Sequence, residues 1–306
     1  MSAGAAVNLI TLSDDLLARL ASTIAIRPPA FAKVAGGFGV IARELLLATE
    51  VDAILAELDR QRWQPVGLDG IAEHYQEGVT VVGSWRATVD SAAFADILWQ
   101  RLAPAGGAVV DFSGFNTVDS DGHALWRAVG LNPRLRCIRY ETGGLLVPHY
   151  DAPFDYGDGR RTLRTVVLYL GRRDRHRGLS VHWPSWPGLA LSPAARRQQQ
   201  LVAWGEAAGA RPSSSSAHHP FARKRAKGGA TRFLRDPQSE LPYAERDFSD
   251  WTRLAQPEEV LASVNGEAGD ALIFNHRILH DSEPLTGAGS KTVLRTDIIF
   301  ERVLKS

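Results

Sequence analysis

His149 and Asp151 stand two residues apart in LLVPHYD, and His280 follows far downstream in LIFNHRILHDSEPLTGAGSKTVLRTD. Successive side chains of a strand point to opposite faces, so residues two apart share one. His149 and Asp151 can therefore present an imidazole and a carboxylate to one point. A second imidazole from a distant strand would complete two histidines and one carboxylate on one side of a metal. That set leaves the opposite coordination positions open and suits non-haem Fe(II) centres that activate oxygen. His276 lies four residues before His280 and, on one continuous strand, would share its face, so it is read as a hydrogen-bonded barrel histidine with a ligand role as the alternative. Further on, Lys291, Val293 and Arg295 occupy one strand face and offer two cations for an anionic ligand. Arginine would grip a carboxylate through two parallel hydrogen bonds, lysine as a point charge. The run GAGSKT has no glycine directly before its lysine and leads into a strand, so it is not read as a phosphate loop.

These residues need a sheet to hold them. From Arg134 onward LRCIRY alternates, Thr142-Gly143-Gly144 turns, and LLVPHYD brings in the first pair of candidate ligands. A second turn at Gly157-Asp158-Gly159 leads into LRTVVLYL, and ATRFL, EVLASV, GDALIFNHRILH and SKTVLRTDIIFER continue the strand-rich character. Helices precede them. One is predicted from Ser13, with Asp14 and Asp15 in its first turn, Leu16, Leu17, Leu20 and Ile24 facing inward, and Arg27-Pro28-Pro29 as its stop. A second is predicted from a Thr49 cap answered by Asp52, with Val51, Ile54, Leu55 and Leu58 as its apolar stripe. Asp90 and Ser91 open a third, running towards Leu102. Many closely spaced strands with helices in front imply a mainly β barrel or sandwich with a helical buttress. We expect residues 1–35 to form an N-terminal helical extension and residues 36–306 one domain, interrupted by an insertion at 171–227.

The insertion holds HWPSWPGLALSP, a possible helix AARRQQQLVAWGEAA, and RPSSSSAHHPFARKRAK. Long insertions in compact domains act as functional lids or are poorly ordered, and both readings stay open here. Trp183 and Trp186 would line a substrate mouth or pin the loop, while His218-His219 and the Arg223–Lys227 cluster read as a solvated tail.

Composition narrows the class. The chain has 306 residues, a net charge of +1 and 44% hydrophobic residues, so no global charge argues for nucleic acid or an acidic membrane as partner. A single cysteine, Cys137, excludes a disulfide framework and a cysteine-based zinc site. The opening MSAGAAVNLITLSDD lacks a charged start and a sustained apolar run, so a soluble cytoplasmic protein is the default expectation.

At this point the chain resembles the prolyl-4-hydroxylase-like group of Fe(II)/2-oxoglutarate-dependent oxygenases. RYETGGLLVPHYD is similar to that group's Arg-Tyr, glycine turn and His-x-Asp, and RTVVLYL to its threonine-containing strand. GGATRF at 228–233 is similar to its Gly-Gly-Glu-Thr-x-Phe, with Ala230 in place of the acidic residue. GDALIF followed by HDSEPLTGAGSK is similar to the distal histidine and the basic residue beyond it. FGVIARELL and WRAVGLNPRLR fit the region before the core. The resemblance covers most of residues 38–303; the long insertion, where the group has a short turn, is a departure from it, as is Ala230.

The resemblance implies a double-stranded β-helix, the jelly-roll or cupin-like barrel. It implies Fe(II) held by His149, Asp151 and His280, with 2-oxoglutarate and O2 as cosubstrates. Lys291, or alternatively Arg295, would anchor the far carboxylate of 2-oxoglutarate, with Tyr140, Tyr169 and Thr165 near it; as aromatic strand residues the two tyrosines could equally be core. The implied reaction is oxidative decarboxylation of 2-oxoglutarate to succinate and carbon dioxide, coupled to hydroxylation of an unactivated C–H bond. Asp151 fills the position a halide would need, which disfavours halogenation. We expect a small-molecule substrate, an amino-acid derivative or natural-product intermediate, with no membrane or nucleic-acid partner and an open oligomeric state. A protein hydroxylase and a non-catalytic metal-binding barrel are the alternatives.

Overall fold

The computed structural model describes residues 9–24, 29–68, 70–71, 74, 83–106, 125–173, 227–242, 245–246 and 253–303. Sixteen strands and three α-helices run along these segments. The N-terminal half holds β1 (Leu9–Ile10), α1 (Asp14–Ser22), β2 (Ala30–Lys33), β3 (Gly39–Arg43), α2 (Ala48–Leu58), β4 (Gln64–Pro65), β5 (Ser84–Asp90) and α3 (Ala92–Gly106). Then follow β6 (Leu125–Leu131), β7 (Arg134–Glu141), β8 (Leu146–His149) and β9 (Arg160–Arg173). The chain ends with β10 (Lys227–Gly228), β11 (Thr231–Leu234), β12 (Val260–Val264), β13 (Ala271–Asn275), β14 (His280–Ser282), β15 (Leu285–Thr286) and β16 (Ser290–Val303).

Eight of these strands make the scaffold. In the ten-stranded major sheet β7, β16, β9 and β13 are neighbours in that order; in the four-stranded minor sheet the order is β12, β11, β14, β8. Numbered along the chain, the eight read 1-8-3-6 in one sheet and 2-7-4-5 in the other. Apart from the adjacent fourth and fifth, successive strands therefore cross between two sheets, which is the winding of a double-stranded β-helix. The expected fold class holds, as two facing ladders joined by crossing strands. Strands β1 to β6 are extra to the expectation and widen the major sheet, with β5 beside β7, β3 beside β13 and β6 beside β16.

Parity along the central strands assigns each side chain to one of two cores. Leu135 and Cys137 on β7, Leu168 and Leu170 on β9, and Leu294, Ile298 and Phe300 on β16 face the helices. There they meet Leu16 and Leu20 of α1, Val51, Ile54, Leu55 and Leu58 of α2, and Phe94, Leu98 and Leu102 of α3. The intervening residues Ile138, Tyr140, Val167, Tyr169 and Val293 face the minor sheet, meeting Leu146, Phe233 and Val264. Each fully buried aliphatic side chain contributes about 1.5–3 kcal/mol, so both faces are specified strongly.

Helix boundaries follow local chemistry. Ser13 caps α1, its hydroxyl accepting from the Leu16 N–H at 3.4 Å, and Ser91 does the same for Phe94 at the start of α3 at 3.2 Å. Helix α1 stops at Ser22 with Thr23 as its C-cap, before the expected Arg27-Pro28-Pro29. Helix α2 begins at Ala48 behind Leu47, and Glu50 rather than Asp52 reaches back to the cap N–H, at 2.7 Å. The Thr49 cap is thus corrected. The cap lies two residues earlier, and Arg101 holds the Glu50 carboxylate by two bonds of 2.8 Å. Among the described residues no helix is long and apolar enough to cross a membrane. Most of the insertion, including Trp183, Trp186, His218, His219 and the basic run Arg223, Lys224 and Arg225, lies outside the described residues.

Candidate metal centre

The turn after β7 delivers the first ligand pair. Gly143 adopts φ +86, and a Cβ on Gly144 would sit 2.0 Å from the Gly83 carbonyl oxygen, so glycines let this turn pass against the residue that leads into β5. β8 is an edge strand of the minor sheet, which is why it tolerates Pro148 next to His149. Its partner β14 sets His280 directly opposite His149, and the two rings lie 4.3 Å apart between centroids. Donor atoms of His149, Asp151 and His280 all fall within 4.8 Å of one another.

Both imidazoles are set up as ligands. Nδ1 of His149 lies 2.7 Å from the Val147 carbonyl oxygen, and Nδ1 of His280 lies 2.9 Å from that of Ile278. With the proton on Nδ1 donated to those carbonyls, Nε2 is left with its lone pair for a metal. Burial, with His149 close by, lowers the His280 pKa to about 3, so its ring is neutral at ordinary pH. Burial alone would raise the Asp151 pKa, but Arg295 and the surrounding histidines hold it well below the usual carboxylate range. Asp151 is therefore a carboxylate when a cation arrives.

A second layer of groups fixes that carboxylate. Thr165 on β9 donates its hydroxyl to Asp151 Oδ2, and Arg295 Nη2 lies 3.0 Å from Oδ1. Arg295 also bonds Asp297 at 2.9 Å, and Asp297 in turn lies 3.2 Å from His276 Nε2. The His276 carbonyl accepts the Asp151 backbone N–H at 3.1 Å. His276 is not in the donor cluster. The chain turns between β13 and β14, so it does not share a strand face with His280, and the parity argument for it as a ligand is corrected. Asp297 carried a readable signal that was missed: it follows Lys291 and Arg295 at even spacing on β16.

The ligands open onto a pocket with about 450 Å3 of empty space, part of it open to solvent. The minor sheet lines it with Leu146, Thr231, Asp281 and Ser282, the major sheet with Ile138, Tyr140, Val167, Val293, Lys291 and Arg295. Lys291 is buried, donates to the Gly229 carbonyl, and stands 5.1 Å from the centre of the Tyr169 ring. Gly229 itself needs its left-handed φ of +69 to turn that carbonyl inward. The Tyr169 hydroxyl pairs with Thr231 Oγ1 at 3.0 Å, and burial pushes the phenols of Tyr140 and Tyr169 far above their ordinary range. Asp281, buried on β14, is held by Arg232 directly across the ladder; burial nevertheless raises its pKa. The structure thus brings together His149, Asp151, His280, Lys291, Arg295 and Tyr140 around one pocket. It places Thr165 against a ligand carboxylate and Tyr169 beneath Lys291.

No family model matches the chain, and no curated protein matches it. Among solved structures it is similar to a prolyl-4-hydroxylase from Pseudomonas putida, at 15% identity over 92% of this chain and 98% of that one, TM-score 0.39. It is similar to a Trichoplax adhaerens prolyl hydroxylase in complex with a hypoxia inducible factor peptide, at 13% identity over 93% and 89%, TM-score 0.42. A third is HygX from Streptomyces hygroscopicus with nickel, 2-oxoglutarate and hygromycin B bound, at 11% identity over 86% and 82%, TM-score 0.39. All three likenesses are loose.

Proposed function

We propose that this chain is an Fe(II)- and 2-oxoglutarate-dependent dioxygenase that hydroxylates an unactivated C–H bond of a small molecule, with succinate and carbon dioxide as coproducts. The observation that carries the reading is the convergence of one donor atom each from His149, Asp151 and His280 within 4.8 Å, on a pocket that also holds a buried lysine. Two imidazoles and one carboxylate suit iron and leave positions for a chelating keto acid and oxygen. When bound there, iron would supply the coupled decarboxylation of 2-oxoglutarate and oxidation of the substrate.

The chain's own residues hold, orient and shield. Val147 and Ile278 fix the two imidazole tautomers, and Thr165 and Arg295 fix the Asp151 carboxylate. Because Arg295 is already bonded to Asp151 and Asp297, we assign the far carboxylate of 2-oxoglutarate to Lys291, between Tyr140 and Tyr169. Ile138, Leu146, Val167 and Val293 give the pocket an apolar lining that keeps competing water away from the reacting groups. An apolar lining with a few convergent polar groups suits a compact organic substrate, such as an amino-acid derivative or natural-product intermediate.

Anaerobic titration of the purified protein with Fe(II) and 2-oxoglutarate tests the reading. A weak visible metal-to-ligand charge-transfer band is expected only with both present, and it disappears in His149→Ala. Iron binding without such a band would replace the oxygenase by a metal-binding barrel. Succinate release across a peptide-length series then separates the substrate classes, since a protein hydroxylase needs the residues that flank its target.

A further inference from the structure

The inner face of the major sheet carries more positive charge beside the ligands than their carboxylates require. Arg295 on β16 stands directly opposite Arg136 on β7. Arg136 stands opposite Thr88 on β5, and Arg86, two residues earlier on that strand, stands opposite the pocket residue Ile138. Directly opposed residues share a face, so Arg295, Arg136 and Arg86 form one cationic corner on three adjacent strands. Like charges set opposite each other cost a sheet stability.

The three are not equally committed. Arg295 bonds Asp151 and Asp297, and Arg86 Nη1 donates to the Gly70 carbonyl at 3.2 Å. Arg136 is half-buried, and among the described residues it has no hydrogen-bond or ion-pair partner. Asp297 and Asp151 act on it only through space, while burial and the charges of Arg295 and Arg86 pull its pKa down. A desolvated guanidinium with five donors in a rigid fork is matched by a planar or tetrahedral oxyanion.

We propose that Arg136, backed by Arg86, grips an anionic oxygen group of the primary substrate, a carboxylate or a phosphate, on the sheet face that also carries Arg295. This rests on the oxygenase reading above. The anion is not the far carboxylate of 2-oxoglutarate. Lys291 pairs with Tyr140, four residues along β7 from Arg136, so the two cations stand about 13 Å apart along the strands. Arg136 instead stands directly opposite Arg295, which bonds Asp151, so an anion held there would belong to a second molecule whose reacting carbon faces the metal.

The test uses the full chain loaded with Co(II) and 2-oxoglutarate, with inorganic phosphate and acetate as separate probes at constant ionic strength. Paramagnetic relaxation of the phosphate 31P and acetate methyl signals reports binding near the metal. Saturable relaxation is expected for at least one probe, and the stronger of the two identifies the anion class. Loss of one charge-assisted contact weakens it roughly 10–100-fold in Arg136→Gln, with partial recovery in Arg136→Lys. An unchanged Co(II) absorption spectrum shows that the ligand set survives the substitution. Equal relaxation in Arg136→Gln, as from phosphate bound to the metal itself, overturns the site, and so does the absence of saturable relaxation. If the Fe(II)–2-oxoglutarate band is present while Arg136 dependence is absent, only the anion site falls. If the band is absent but Arg136-dependent binding persists, the anion site stands and the oxygenase reading falls.

Discussion

On the helix-packed face of the major sheet, Arg101 of α3 commits both terminal nitrogens of its guanidinium. Its guanidinium meets both Glu50 oxygens at 2.8 Å, the Leu45 carbonyl at 3.0 Å, the Leu20 carbonyl at 2.6 Å and the Thr23 hydroxyl at 2.9 Å, stitching all three helices together. On the pocket face of the same sheet, Arg136 sits half-buried with no partner among the described residues and another arginine directly across the ladder. A buried charge paired with a buried carboxylate specifies packing; one left without such a partner beside a ligand cluster is set up to bind something. The difference separates a face built for rigidity from a face built for recognition.

The largest expected effects lie on the rigid face. Glu50→Leu leaves the Arg101 guanidinium buried without its carboxylate, and thermal or denaturant unfolding should show a loss of about 3–5 kcal/mol. Metal affinity should remain at the wild-type value; a parallel fall in metal affinity would erase the distinction between the faces. The same pair has a pH signature. Burial would raise the Glu50 pKa, but the bonds from Arg101, Thr23 and Leu47 hold it below 4.5. Its contribution is therefore complete above pH 4.5 and is lost as the pH falls through the folded-state value. Replacing both partners, as Glu50→Leu with Arg101→Met, should flatten that acid limb. Next in size is Leu168→Ala, on β9 and 1% exposed, which opens a cavity against the helices and costs about 2–5 kcal/mol with the Co(II) spectrum unchanged.

How far the sequence disclosed this division depends on the kind of signal. The pocket face was legible where chemistry and strand parity coincide: His149 with Asp151, His280, and the Lys291–Arg295 strand all reach one pocket. Of the two roles open to His276, the hydrogen-bonded histidine is the one seen, 3.2 Å from Asp297; the ligand alternative came from reading GDALIFNHRILH as one strand, whereas residues after Asn275 turn before β14 begins at His280. Thr165 was expected near the cosubstrate, not as a partner of Asp151, since contacts between β9 and the loop after β8 leave no local mark. The Arg101–Glu50 link was invisible for the same reason, joining residues far apart in the chain through tertiary packing. Strands β2 to β6 add edges to a sheet whose centre lies elsewhere, so short apolar runs among helices gave little period to read.

On the pocket face the effects are smaller in stability and larger in ligand binding. Arg295→Met removes a group that orients the ligand carboxylate, and such outer partners carry roughly 10–100-fold in metal affinity. Competition of Co(II) with a chelator measures it. An unchanged affinity would mean that Thr165 alone holds Asp151, and would return Arg295 to candidacy as the 2-oxoglutarate anchor.

The smallest effect has the opposite sign, and it divides the two faces most sharply. Arg136→Met removes a half-buried cation and its repulsion with Arg295 directly across the ladder, while the methionine stem still covers Ile138 and Thr88. Relief of an opposed like-charge pair is worth about 0.2–1 kcal/mol, so the melting temperature should hold or rise slightly. Binding of the anionic probe should fall in the same variant. A residue whose loss stabilises the fold while weakening a ligand is held in place by function rather than by packing. A destabilisation as large as that of Glu50→Leu would place Arg136 with Arg101 among the structural arginines, and the contrast between the faces would then rest on the metal ligands alone.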